Sequence, residues 1–171
     1  AALNVFACEP EWAALAREIG GGDVKVYSAT TAMQDPHRIE ARPSLIAKAR
    51  RAQLVVCTGA ELEVGWLSVI LRESGNADIA EGKPGNFEAD RYVQMLEVPS
   101  RVDRTEGDVH AAGNPHIQLD ARNYLPIAQA LTARLSELDS ANAAFYASRL
   151  QAFSALGQHR PCVRQLADWP A

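Results

Sequence analysis

Residues 3–27 read LNVFACEPEWAALAREIGGGDVKVY and predict one strand–helix–strand unit. The apolar run at 3–7 predicts a strand, and Pro10 between two acids suits the first turn of a helix, where negative charge favours the helix dipole. Apolar residues then recur at helical spacing until Gly20-Gly21-Gly22, and a second strand is expected at 24–27. A strand, a helix and another strand in succession indicate a right-handed crossover and a parallel sheet.

The same alternation continues along the next seventy residues. Helical spacing predicts helices at 44–51 and 64–73, and apolar runs predict strands at 54–57 and 92–98. Residues 74–92 are rich in Gly, Asn, Asp and Glu, which is typical of a surface loop. The predicted fold class is therefore α/β, with a four-stranded parallel sheet flanked by helices.

A long helical pattern follows from Asp120, and a break near Ser140 is compatible with it. A helix of this length after a compact α/β unit indicates a connector. We therefore expect an α/β lobe at 1–120, a connector helix at 121–156 and an atypical tail at 157–171, where the periodicity is lost.

Composition narrows the class of protein. With 171 residues, 47% apolar and 22% charged, the chain suits one soluble globular domain. The formal net charge of -4 and the lack of a dense Lys/Arg cluster argue against nucleic acid as a partner. No apolar run approaches the roughly 20 residues of a membrane span. The Ala-rich start fits a mature chain whose leader has been removed, so export is expected.

Two histidines are expected at one edge of the sheet. His37 follows the second strand within Asp35-Pro36-His37, and His116 follows the predicted fourth strand within Asn114-Pro115-His116. In open parallel sheets, ligands bind outside the carboxyl ends of the strands. Two imidazoles suit a borderline divalent ion such as zinc. On this chemistry alone, two ordinary exposed histidines remain the competing interpretation.

Other side chains near that edge could add ligands. His110 lies six residues before His116 and could help to capture a metal ion, or it could be an ordinary loop histidine. Asp35, Glu61 and Glu63 could supply oxygen ligands or hold an imidazole in place, or they could be solvated acids.

The cysteines leave two interpretations open. Cys8 and Cys57 both stand at the ends of predicted strands, so they either form a disulfide or are two small buried residues, and Cys162 would be unpaired. The sequence has no nucleophile elbow, zinc-protease motif or phosphate loop, which argues against the common enzyme classes. A thiol or redox protein that uses Cys57 or Cys8 is the alternative from a different class.

Three blocks in order resemble the metal-binding receptors of zinc and manganese ABC importers. Residues 35–44 (DPHRIEARPS) resemble the first-ligand block of that family, DPHxxExxPS. Residues 52–67 (AQLVVCTGAELEVGWL) resemble its third-strand block, and residues 114–120 (NPHIQLD) resemble its second-ligand block, in which Gln118 replaces a Trp. The resemblance covers about residues 3 to 150, and the ordered set is specific.

The resemblance implies a function and an incomplete metal site. By position, His37 and His116 correspond to the two ligands of the family's first lobe, and His110 falls where some members carry extra histidines. The family has two lobes with the metal ion between them, and this chain stops after the connector, so its site would be incomplete. The resemblance thus implies a periplasmic protein that binds a divalent metal ion and delivers it to a membrane permease. The two imidazoles favour zinc over manganese as that ion.

The short chain adds two expectations. Apolar surface left by the missing lobe would favour a homo-oligomer, in which two chains could pool their histidines. The alternative is a transport-inactive remnant of such a receptor.

Overall fold

The computed structural model of the protein describes residues 2–98, 111 and 113–159. Its centre is a sheet of four parallel strands in the order β2-β1-β3-β4, which confirms the predicted fold class. The strands are β1 (Leu3–Ala7), β2 (Val24–Ser28), β3 (Leu54–Cys57) and β4 (Asn86–Glu88). β1 and β3 are central and almost fully buried, as their continuous apolar sequences require.

Helices cover both faces of this sheet. They are α1 (Pro10–Gly20), α2 (Pro43–Arg50), α3 (Leu67–Ser74), α4 (Tyr124–Leu138) and α5 (Ala143–His159). α1, α4 and α5 pack with Val5 and Val56 on one face, whereas α2 and α3 pack with Phe6 and Val55 on the other. Alternate residues of each central strand therefore enter opposite cores.

The prediction of the fourth strand was wrong. β4 comprises only Asn86–Glu88, inside the segment expected to be a surface loop, and residues 92–98 contain no strand. Three residues in a turn-rich stretch give too little periodicity to be recognised. Phe87 is the one side chain of β4 in the core, and its ring stacks on Tyr92 with 4.9 Å between centroids. The apolar residues at 92–95 thus pack against the core as irregular chain.

The expected connector helix is divided in two near Ser140. A turn at Ser140–Asn142 separates α4 from α5, and Asp139 holds this turn. Its carboxylate accepts hydrogen bonds from Asn142 Nδ2 at 2.8 Å and Tyr146 Oη at 2.7 Å. Leu131, Leu135 and Tyr146 belong to the same core as the sheet, so α4 and α5 pack onto the lobe.

The end of α5 also differs from the expected boundary. The helix continues to His159, three residues into the segment predicted to be an atypical tail. The remainder of that tail, with Cys162, lies outside the described residues. Within the described part of the chain, no helix combines the length and the apolar character needed to cross a membrane.

Candidate metal centre

The structure brings His37 and His116 together. His37 lies in the loop between β2 and α2, and His116 directly precedes a short 3-10 turn, Ile117–Leu119. The centroids of the two imidazole rings are 5.5 Å apart, and the ring planes meet at 68°. Both residues are half-buried. The predicted meeting of two loops at this edge is therefore present, whereas His110 lies outside the described residues.

The two X-Pro-His segments adopt the same local structure. An oxygen of the Asp35 carboxylate accepts a hydrogen bond from the backbone N–H of His37 at 3.0 Å. Asn114 Oδ1 accepts the equivalent bond from His116 N–H, also at 3.0 Å. Such turns are typical of Asp and Asn, and the intervening proline fixes one backbone angle. Each imidazole is thus presented by a short, locally closed loop.

Asp35 also orients the ring of His37. Its carboxylate oxygen lies 2.9 Å from His37 Nδ1, and the His37 side chain is 22% exposed. The hydrogen bond from the His37 backbone N–H, together with the contact to the ring, lowers the pKa of Asp35 below its ordinary value. A carboxylate on one ring nitrogen directs metal coordination to the other, here Nε2. Asp35 is therefore placed to act as a partner of His37.

The loop between β3 and α3 supports the His37 segment. Its residues Gly59, Ala60 and Glu61 all have positive φ angles, of 82°, 50° and 66°. Such a backbone is strained at the two non-glycine residues, at about 1 kcal/mol each. Asp90 stabilises the turn because its Oδ2 accepts the Ala60 N–H at 2.9 Å. The loop leads to Trp66, whose indole Nε1 donates to the carbonyl oxygen of Pro36 at 2.7 Å.

The two glutamates of this loop have different environments. Glu61 is exposed, and its carboxylate accepts the backbone N–H of Ala111 at 3.4 Å. Glu63 is 2% exposed and accepts the N–H groups of Thr58 at 2.7 Å and Gly59 at 3.2 Å. Glu63 is therefore a buried carboxylate in the core, not a solvated acid at the edge.

Glu9 is a buried polar residue that the sequence analysis did not single out. It is 2% exposed, and its Oε2 accepts a hydrogen bond from Thr58 Oγ1 at 3.1 Å. Thr58 Oγ1 in turn accepts the Trp12 indole N–H at 2.8 Å. Burial, followed by the nearby Glu63 carboxylate, raises the pKa of Glu9 to about 10, and burial also raises the pKa of Glu63. The two carboxyl groups interact with each other, and their burial favours the protonated form of Glu9.

A disulfide joins Cys8 and Cys57 next to this pair of acids. The Cα atoms are 4.8 Å apart, as expected where the ends of two neighbouring parallel strands meet. Of the two interpretations left open by the sequence, the structure shows the disulfide. Neither Cys8 nor Cys57 therefore carries a free thiol in the described structure, which does not favour the alternative redox function.

An open cleft of about 740 Å³ lies beside the histidine pair. His116 forms part of its wall, together with Leu96 and Leu119, which are 56% and 81% exposed. Asp120 also lines the cleft, and its carboxylate pairs with the Arg122 guanidinium. The surface around His116 is thus partly apolar and open.

The sequence profile of one family, described as zinc-uptake complex component A, periplasmic (ZnuA), matches residues 5–158. The chain belongs to the ZnuA family. This confirms the resemblance inferred from the three sequence blocks. Curated relatives of this chain are named as substrate-binding lipoproteins of ABC transporters, so the prediction that the chain is not an enzyme is also confirmed.

Relatives of this ZnuA-family chain include proteins named for different metals. It is 28% identical over 151 residues to the metal ABC transporter substrate-binding lipoprotein ScbA of Streptococcus cristatus. It is equally similar to the manganese ABC transporter substrate-binding lipoprotein scaA of Streptococcus gordonii. Each match covers 88% of this chain and 46% of the relative. The chain thus spans about half the length of these relatives.

Solved structures show the same relation. A crystal structure of ZnuA superposes with a TM-score of 0.72 at 25% identity, over 91% of this chain and 54% of that one. A Mn-bound periplasmic metal binding protein from Candidatus Liberibacter asiaticus gives a TM-score of 0.69 at 19% identity, over 90% and 52%. The fold of this ZnuA-family chain therefore corresponds to about half of each of these structures.

Proposed function

We propose that this chain binds a divalent transition metal ion through His37 and His116, outside the cytoplasm, for delivery to the membrane permease of an ABC importer. The observation that carries the proposal is the 5.5 Å approach of two imidazoles from loops almost eighty residues apart in sequence. Membership of a family of transporter-associated binding proteins supplies the context. The Cys8–Cys57 disulfide suits an oxidising compartment such as the periplasm.

We propose zinc as the favoured cargo, with manganese second. Imidazole nitrogen is a good ligand for zinc, whereas manganese prefers carboxylate and other oxygen ligands. The carboxylate nearest to the pair, that of Asp35, is directed at His37 Nδ1 and is more suited to orienting a ligand than to being one. Several relatives are named as manganese proteins, so the choice of ion rests on the donor set of this chain.

Two histidines do not complete a coordination shell, because zinc in proteins uses at least three protein ligands. Candidates for the remaining protein ligands include His110, an acid such as Glu61, and histidines from a second chain. The exposed Leu96 and Leu119 beside His116 favour the last of these, since an apolar surface promotes self-association. We therefore propose a homo-oligomer in which the metal sites of two chains face each other.

The test is calorimetric titration of zinc into the wild-type chain and into the His37→Ala, His116→Ala double variant. We expect the double variant to lose more than 100-fold in affinity, because both imidazole ligands are removed. His159→Ala is the matched control and should bind as wild type, and His110→Ala reports whether that residue contributes. Equal zinc affinity in wild type and double variant would contradict the proposed site.

Two further measurements address the ion and the assembly. Competition between zinc and manganese, followed by mass spectrometric metal analysis, should leave zinc bound. Sedimentation of the metal-loaded chain should show a species larger than a monomer, and a Leu119→Asp variant should shift it towards the monomer. A monomer at high concentration would contradict the oligomer while leaving the histidine site intact.

A further inference from the structure

A second group of metal-ligating side chains lies in the core, at the adjoining ends of β1 and β3. The buried cluster consists of Cys8, Cys57, Glu63 and Glu9, each at most 2% exposed. The two sulfur atoms and a carboxylate oxygen of Glu63 all lie within 4.8 Å of one another. Glu9 is hydrogen-bonded to Glu63. The cluster shares no residue with the histidine pair.

We infer that the reduced chain, before Cys8 and Cys57 are oxidised, holds a second metal site of the zinc class, formed by two thiolates and the Glu63 carboxylate. On metal binding, each thiol releases its proton to solvent and its sulfur donates an electron pair to the ion. On oxidation, the same two thiols instead lose two electrons and two protons to a disulfide-bearing oxidant and form the Cys8–Cys57 bond. The metal site and the disulfide are therefore mutually exclusive.

The geometry of the cluster matches this ligand set. Zinc–sulfur bonds of about 2.3 Å and zinc–oxygen bonds of about 2.0–2.2 Å place the ligand atoms of a tetrahedral site roughly 3.3–3.8 Å apart. The Glu63 oxygen already lies within 4.8 Å of both sulfurs. Without the covalent bond, rotation about the Cα–Cβ bonds of the two cysteines separates the sulfurs to the distance that a shared ion requires.

The hydrogen bonds of Glu63 also favour the site. Its carboxylate accepts the backbone N–H groups of Thr58 and Gly59, which hold it next to the two sulfur atoms. Two thiolates and one carboxylate offset the charge of a dipositive ion to a sum of minus one.

Glu9 has a definite place in this site. Among the ion pairs of the described residues, none joins Glu9 or Glu63 to a lysine or arginine. Glu9, which interacts with Glu63 and accepts a hydrogen bond from Thr58 Oγ1, would orient the carboxylate that ligates the ion.

The test removes the proposed histidine site first, so that the two proposals fail independently. A triple variant of the full chain, His37→Ala, His116→Ala and Cys162→Ser, is first reduced with excess dithiol. The dithiol is then removed under anaerobic conditions, and the protein is titrated with Co²⁺ as a spectroscopic probe. We expect one cobalt ion per reduced chain, with thiolate-to-cobalt charge-transfer absorption. The oxidised chain and a Cys57→Ser variant should lack this absorption, and Glu63→Gln should weaken binding by about 10- to 100-fold.

Thermal unfolding separates a native site from binding to an unfolded chain. Zinc should raise the Tm of the reduced triple variant, because an ion that binds only the folded state stabilises it. Zinc should also slow disulfide formation in the same triple variant, and a chelator should restore the rate. The absence of thiolate absorption, or a Tm that falls when zinc is added, would overturn the inference.

Discussion

The histidine pair and the buried cluster both lie at the carboxyl edge of the sheet, but they differ in burial and in hydrogen bonding. His37 and His116 are half-buried and stand on loops closed by local side-chain hydrogen bonds. Glu9 and Glu63 are almost fully buried and hydrogen-bonded to each other. Water reaches the first group and is excluded from the second. We therefore expect low pH to weaken zinc binding at the histidines and to increase the contribution of the buried cluster to the free energy of unfolding.

The largest expected effect is the loss of metal binding in acid. An imidazole must be in its neutral form to bind a metal, so protons compete with the ion at each ligand. We therefore expect the zinc affinity to fall steeply as the pH is lowered from 7.5 to 5. Calorimetry across this range checks the profile. In a His116→Ala variant, the slope of the logarithm of zinc affinity against pH should be about half that of the wild type. A wild-type affinity that does not change with pH would mean that the histidines are not the ligands.

The buried cluster should show the reverse dependence in the free energy of unfolding. The pKa of Glu9 is about 10 in the folded chain, above its ordinary value of 4.5, so the folded state keeps a proton that the unfolded state loses. Its contribution is fully present below pH 4.5 and falls as the pH rises towards 10, by up to about 1.4 kcal/mol per pH unit. Denaturant unfolding of the metal-free oxidised chain at pH 5, 7 and 9 measures this slope.

The matched pair for that experiment is Glu9→Gln against Glu11→Gln. Glutamine keeps the size of Glu9 and a neutral charge, so the pH slope should flatten by up to one proton. Glu11 lies in the first turn of α1, and its variant should retain the wild-type slope. An unchanged pH dependence of the free energy of unfolding in Glu9→Gln would mean that Glu9 is not the group that holds the proton.

A smaller effect separates local geometry from charge at the histidine edge. Asp35→Asn turns the first X-Pro-His segment into a copy of the second, because Asn114 closes the same turn before His116. We expect Asp35→Ala to lower zinc affinity about 10- to 100-fold, since it removes both bonds to His37. Asp35→Asn should recover most of that loss, which calorimetry can measure. Equal losses would show that the negative charge, and not the turn, is what matters.

The smallest effect concerns the two buried indoles, one serving each region. Trp66→Phe removes the hydrogen bond to Pro36 O and should weaken zinc binding about fivefold, the equivalent of one bond of about 1 kcal/mol. Trp12→Phe removes the bond to Thr58 in the cluster and should lower stability without changing zinc affinity. If the two variants affect zinc binding equally, Trp66 has no particular role in placing His37.

The parts of the fold that sequence predicted well are those with long, regular patterns. β1 and β3 begin and end where their apolar runs do, because a central strand is buried on both faces. β4 was missed because Phe87 is its only fully buried residue, which is too little to form a recognisable apolar pattern. The long helical pattern allowed a break near Ser140 but did not require one, because Asp139 holds the turn through bonds to side chains three and seven residues further on.

The candidate site divides in the same way. The edge rule for parallel sheets predicted that His37 and His116 would meet, although the strand expected before His116 at 92–98 is not present. The role of Glu9 could not be predicted, because an acid before a proline at a helix start is ordinarily a solvated dipole partner. The available signal was its position directly after a buried strand and Cys8. Glu63 was recognised only as an acid near the edge, since its burial depends on the strained turn at Gly59–Glu61.

The Cys8–Cys57 bond also makes the chain a covalent ring with a linear extension. The two cysteines are 49 positions apart in sequence, so the ring contains α1, β2, α2 and His37, while β4 and His116 lie on the extension. Closing a loop of this length removes unfolded-chain entropy worth about 4 kcal/mol. A single cut in the loop that carries His37 would leave one molecule while the bond lasts and two fragments once it is reduced. The two proposed ligands thus differ in covalent topology: His37 lies within the ring that the disulfide closes, and His116 lies on the linear chain that follows it.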